Sequence, residues 1–208
     1  MMPRSMTALA SAGALSLWGL TVGTSFLLLG QYHARPGDPG SPAEHWPVEA
    51  ALRPQGAGSQ LLLFIDPRCP CSRASLSELA HVSAQCQGRF TPVVVLVKTD
   101  QLPQGWSRSG LDRAIAAVPG IQLWDDRLGE ETRRFGVTTS GHVLLFDPRG
   151  DLRFSGGITP SRGHEGDCYG RDALIGLILG KPGTDRKPPV FGCPVVDPTV
   201  TRVREEAS

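Results

Sequence analysis

The chain carries no surplus of charge of either sign: its 208 residues include 21 Lys and Arg against 20 Asp and Glu. A nucleic-acid surface needs a basic stripe to offset phosphate charge, so this balance argues against nucleic acid as a partner. A second absence is local. From Thr7 to Gly30 there is no charged residue, and the run is rich in large apolar side chains such as Leu15, Trp18, Leu20, Phe26 and Leu29. About 20 such residues are enough for a helix to cross the hydrocarbon core. The run also lacks the small-x-small exit of a cleaved signal peptide and passes instead through Phe26-Leu27-Leu28-Leu29 into Gln31-Tyr32-His33. We therefore expect residues 7–29 to form one uncleaved membrane-spanning helix, with Arg4 on the inner side and the rest of the chain periplasmic or otherwise extracytoplasmic.

What the chain has in quantity is Gly and Pro, with 25 and 18 copies. Nine of them, from Pro36 to Gly58, interrupt residues 31–58 and predict a tether, with a short helix or edge strand at most over 44–52. The expected organisation is an anchor over 1–30, this tether over 31–58, a compact domain over 59–181, and an irregular tail over 182–208 that carries Cys193.

Within the domain the apolar runs 60–65 and 92–97 predict strands buried on both faces. Between them, Leu76, Leu79, Ala80, Ser83 and Cys86 recur at helical spacing and predict a helix over 71–85. A helix over 111–118, a short strand over 121–124 and a helix over 128–135 follow. A hairpin of 142–146 with 151–154 turns at Asp147-Pro148-Arg149-Gly150, and a last helix covers 172–179. This order implies an α/β domain, a mixed sheet with helices on both faces.

The residues Leu62-Leu63-Phe64-Ile65-Asp66-Pro67-Arg68-Cys69-Pro70-Cys71 resemble the strand-to-helix turn of thioredoxin-like proteins, in which a Phe stands five residues before the nucleophilic cysteine, as Phe64 does here. Phe135-Gly136-Val137 followed by Val143-Leu144-Leu145-Phe146-Asp147 resembles the second half of that fold. With the apolar N-terminus, the chain looks like the extracytoplasmic, membrane-tethered thioredoxins. Thr139-Ser140-Gly141-His142 and Val190-Phe191-Gly192-Cys193-Pro194 resemble a bacterial group called RedB-like. There are departures: only Pro70 separates the cysteines, Arg68 replaces an aromatic residue, Leu63 stands where an acid is normally buried, and Gly141-His142 falls where cis-proline faces the thiols.

A helix N-terminus favours thiolate through its free N–H groups and positive dipole end, and Arg68 adds a cation beside Cys69. The resemblance implies a thiol–disulfide oxidoreductase acting on protein thiols or disulfides. Cys69 would attack, Cys71 would resolve through a strained Cys69–Cys71 disulfide, and no cofactor would be needed. The strand beginning at His142 and the long loop 156–168 should reach the same rim, and we expect His142 as an imidazolium beside Cys69. The segment 181–193 spans about 40 Å when extended, enough to return Cys193 there. Cys168 and Cys193 are also candidates for a structural disulfide, and Cys86 reads as core. The alternative is a copper or other soft-metal chaperone, with ligands from Cys69, Cys71, His142, His164 and Cys193.

Overall fold

The computed structural model describes residues 4–98, 109–181 and 186–195. Two compact units divide between Arg35 and Pro36. The first is a single helix, α1 (Arg4–Ala34). Its stretch Ser11–Ala34 is long and apolar enough to cross a membrane, a property that signal sequences share. Large side chains such as Leu15, Trp18 and Phe26 are exposed all round it. Its hydroxyls do not disturb that apolar surface. Thr21 donates to the Leu17 carbonyl, Thr24 to Leu20 and Ser25 to Thr21, each at 2.8 Å, so each hydroxyl is satisfied within the helix.

The second unit is built on a five-stranded sheet. Its strands are β1 (Ser59–Ile65), β2 (Phe90–Lys98), β3 (Gln122–Arg127), β4 (His142–Phe146) and β5 (Leu152–Gly157), in spatial order β3-β2-β1-β4-β5. β1 pairs with β2, and β2 with β3, in parallel. β4 lies antiparallel to both β1 and β5. The apolar runs of β1 and β2 occupy central positions with both faces covered, which is why they show no polar alternation. Four further helices complete the domain: α2 (Ser72–Gln85), α3 (Ser109–Ala116), α4 (Glu130–Arg134) and α5 (Tyr169–Ile178).

Strand alternation divides the core in two. Leu61, Leu63, Ile65, Val143 and Leu145 pack against Leu76, Leu79, Val82 and Cys86 of α2, with α3 and α5 on the same side. Leu62, Phe64, Leu144 and Phe146 face the other way, toward Phe135 and Val137. The expected elements all occur, with ends shifted by a few residues as capping dictates. The 99–108 connection lies outside the described residues.

The segment expected as a tether is irregular but not loose. From residue 36 onward it straps across the second core. Ala50 and Leu52 are fully buried, and their anchoring is polar as well as apolar, because the Ala51 and Leu52 amides each donate at 3.1 Å to the buried Glu131 carboxylate. Trp46 meets Phe135 and Phe146 edge-on, both with ring centroids 5.2 Å away, and its indole N–H donates to the Leu52 carbonyl at 3.0 Å. Edge-on aromatic contacts add to the apolar area that the rings bury. Pro and Gly excluded regular structure here, but they did not exclude docking. Trp46→Ala should therefore lower stability by roughly 2–4 kcal/mol, read as a lower urea midpoint with unchanged helix content. An unaltered midpoint would mean that the strap contributes nothing to the folded state.

Candidate functional site

The rim of the site forms where β1 ends. After Ile65 the chain turns through Asp66-Pro67-Arg68, and the Asp66 carboxylate accepts from the Arg68 amide at 2.8 Å. The Cys69 amide donates to the Asp66 carbonyl at 3.0 Å, and α2 starts immediately after Cys71. Cys69 and Cys71 are both buried, at 5% exposure. Cys193 reaches them from a separate segment and is half-buried. The three sulfurs lie within 4.8 Å of one another, forming a group that includes no imidazole or carboxylate.

The Cys71 and Cys193 thiols both hydrogen-bond to the Cys69 sulfur. Burial, then repulsion from Cys69 and the proton held in that bond, push the Cys71 thiol up to about 11. The same causes push Cys193 up to about 12, burial again leading. Two groups act in the opposite direction. The Arg162 charge lowers both thiols, and the Gly163 amide donates to the Cys71 sulfur. Arg162 also donates to the Gly192 carbonyl, next to Cys193. The long loop after β5 therefore does overhang the cysteines, through its backbone and one guanidinium.

That loop is held from beneath. Glu78 of α2, fully buried, accepts from the Gly166 amide and from the Arg171 guanidinium, both at 2.7 Å. Arg171 in turn donates to the Gly166 carbonyl at 3.0 Å. Such a buried pair is costly unless its remaining positions are filled, and here they are.

Several expected residues sit elsewhere. His142 is fully buried, but as an even-numbered residue of β4 it shares a face with Leu144 and Phe146, away from α2. Its Nε2 pairs with the Ser155 hydroxyl at 2.8 Å, and its Nδ1 has no hydrogen-bond partner among the described residues. Burial pushes its pKa down to about 4, so it is neutral at physiological pH. An imidazolium supporting Cys69 is thereby corrected. Nor does His142 join the sulfur cluster as a ligand, and His164, whose Nδ1 pairs with the Arg162 carbonyl at 2.8 Å, is likewise outside it.

Arg68 lies beside Cys69 as expected, but its guanidinium is engaged by Asp66 at 2.8 and 3.1 Å. The expected Cys168–Cys193 disulfide is not formed. Cys168 stands at the start of α5, where its sulfur accepts from the Gly170 and Arg171 amides, while Cys193 is committed to the cluster. Cys69 and Cys71 are also unbonded here, and Cys86 is buried in the α2 core as read.

Where cis-proline was absent, Gly141 takes φ +90° in a trans linkage, and its amide donates to the Phe64 carbonyl at 2.8 Å. A Cβ at this position would lie 2.8 Å from the Ser75 hydroxyl, so the loop approaches α2 more closely than other residues permit. Parallel β1-β2-β3, antiparallel β4-β5, and a cysteine pair at the β1–α2 turn form a definite pattern. The fold is thioredoxin-like.

No family model matches this sequence, and no curated protein matches it. Solved structures do. An uncharacterized conserved protein from Geobacillus kaustophilus aligns with TM-score 0.56 and 16% identity, covering 79% of this chain and 94% of that one. A hypothetical protein from Sinorhizobium meliloti 1021 aligns with TM-score 0.51 and 20% identity, covering 67% and 79%. A secreted Mycobacterium tuberculosis disulfide oxidoreductase aligns with TM-score 0.41 and 15% identity, covering 59% and 81%.

The buried His142 of this thioredoxin-like domain makes stability depend on pH. An unfolded imidazole takes a proton below about pH 6.5, the folded one only below about 4. Stability is therefore full above the first value and falls as pH drops through that window, by up to about 3 kcal/mol. Urea midpoints across the window should show this decline in the parent and a flatter profile in His142→Gln. Equal slopes would show that His142 is not the titrating group.

Proposed function

We propose that this protein is a membrane-anchored thiol–disulfide oxidoreductase working outside the cytoplasm, with Cys69 as the attacking thiol. The observation that carries the proposal is the Cys69 sulfur itself, at the start of α2 with two further thiols hydrogen-bonded to it. The thiolate attacks one sulfur of a partner's disulfide, the partner's other sulfur leaves with the proton, and Cys69 is joined to the partner. A second thiol of the cluster then attacks Cys69 and frees the partner. Arg162 offers positive charge to the sulfurs that become anionic along this path. Protein thiols and disulfides are the proposed partners, and α1 holds the domain at the membrane surface.

Exchange with a model disulfide should fall by at least about a hundredfold in Cys69→Ser and stay near the parent rate in Cys86→Ser, whose sulfur lies in the α2 core. An unchanged rate in Cys69→Ser would end the oxidoreductase reading. For topology, a reporter that is active only outside the cytoplasm should work when fused after Arg35. Activity there of a cytoplasm-only reporter would reverse the orientation.

A second reading is favoured by one specific observation, the all-sulfur composition of the cluster. Three thiols within 4.8 Å suit a soft ion such as Cu(I), and among the described residues no imidazole or carboxylate joins them as a harder metal would prefer. Here Cys69, Cys71 and Cys193 would be the ligands. Purification under anaerobic conditions with Cu(I) should then give one copper per chain, lost in Cys193→Ser.

A further inference from the structure

We propose that Cys193, not Cys71, is the thiol that resolves the mixed disulfide formed at Cys69. The inference rests on the oxidoreductase reading and concerns which second thiol completes it. Both candidates touch Cys69, so distance alone does not decide between them.

Backbone placement does. Cys71 is separated from Cys69 by Pro70 alone, and both residues are tied into the start of α2. The Cys69 carbonyl accepts from the Ser72 amide at 3.1 Å and the Cys71 carbonyl from the Ser75 amide at 3.2 Å. Thiol–disulfide exchange needs the attacking, central and leaving sulfurs nearly in line. A neighbour two positions along a proline-stiffened turn can close only a tight ring, and it must leave disulfide geometry to do so. Cys71 is further restrained by the Gly163 amide, which donates to its sulfur.

Cys193 has none of these covalent limits. It arrives on the segment 186–195, which bridges Thr139 through Pro194, while the Ser140 amide donates to the Cys193 carbonyl at 2.8 Å. Its backbone is thus fixed by contacts outside the Cys69–Cys71 turn, with its sulfur already set against Cys69. Cys193 is also the most exposed of the three cysteines, and so the one most open to an incoming partner. The fit of the segment is close. A Cβ on Gly192 would stand 1.8 Å from the Ser140 carbonyl oxygen, so glycine is needed to seat the next residue against Cys69.

The step balances without another reactant. Cys69 gives up its proton and, as thiolate, displaces one thiolate from the substrate disulfide, which takes up that proton. Cys193 then gives up its proton and attacks the Cys69 sulfur, the Cys69–substrate bond breaks, and the second substrate thiolate takes up the proton Cys193 released. Two electrons pass from Cys69 and Cys193 to the substrate, and a Cys69–Cys193 disulfide remains. Cys71 stays reduced.

The test uses the full chain in detergent, reduced and then mixed with oxidised glutathione. Samples are quenched with acid, alkylated and mapped by mass spectrometry. The parent and Cys71→Ser should both yield a Cys69–Cys193 link with no lasting adduct. Cys193→Ser should accumulate glutathione on Cys69 and release the second thiol at least about tenfold more slowly. A Cys69–Cys71 link in the oxidised parent, with Cys193 alkylated, would overturn the proposal whatever the variants do. Absence of glutathione on Cys69 in every form would overturn the oxidoreductase reading itself, and this inference with it.

Discussion

Ser140 lies fully buried between the three segments that carry or support the clustered sulfurs. Its hydroxyl accepts from the Asp66 amide at 3.0 Å and meets the Ser72 hydroxyl at 3.2 Å, and Ser72 donates onward to the Asp66 carbonyl at 2.7 Å. Its amide donates to the Cys193 carbonyl, and its own carbonyl packs against Gly192. One residue thereby joins the end of β1, the first turn of α2 and the C-terminal segment. Each of these bonds is sheltered from water, where leaving a partner unsatisfied costs about 1–3 kcal/mol. The positions of Cys69 and Cys193 are therefore coupled through Ser140 before their sulfurs meet.

That coupling fixes where the cluster sits, and its surroundings set how readily its thiols ionise. Burial alone holds thiols in the protonated form and would leave them inert. Two groups act against burial without cancelling it: the Arg162 charge lowers both the Cys71 and Cys193 thiols, and the Gly163 amide lowers Cys71. Arg68, the nearest cation in sequence, is matched by Asp66 and forms part of the turn. The more distant Arg162 reaches the cluster because the Glu78–Arg171 pair fixes the loop that carries it.

Much of this was legible in the sequence, and the failures have physical causes. The strands and α2 could be read because burial on both faces, or along one helical stripe, leaves a periodic imprint. The rim position of Cys69 and Cys71 followed from the strand-to-helix turn. His142 was misread because resemblance locates a residue along the chain but not the direction of its side chain. The alternation with Leu144 and Phe146 carried that information, and it points away from α2. Cys193 was within reach of two partners by length, and only the Thr139–Pro194 bridge decides between them. The docked strap left no local signal, since its contacts to Glu131 and Phe135 are all long-range.

The two flanking segments also bear on why this domain functions with glycine where thioredoxins carry cis-proline. Proline fixes a loop through its ring. Gly141 is the least restrained residue available, so order at residues 138–141 has to come from outside. It comes from both sides. The Thr138 and Thr139 hydroxyls donate to the Asp38 carbonyl of the strap, Thr138 at 2.7 Å. The Val195 amide donates to the Thr138 carbonyl at 2.8 Å, and the Gly37 amide reaches the Val190 carbonyl at the same distance, joining strap to C-terminal segment. Residues 138–141 are thus clamped between the chain that enters the domain and the chain that leaves it. Replacing an internal restraint by an external one ties the conformation of residues 138–141 to the segment bearing Cys193.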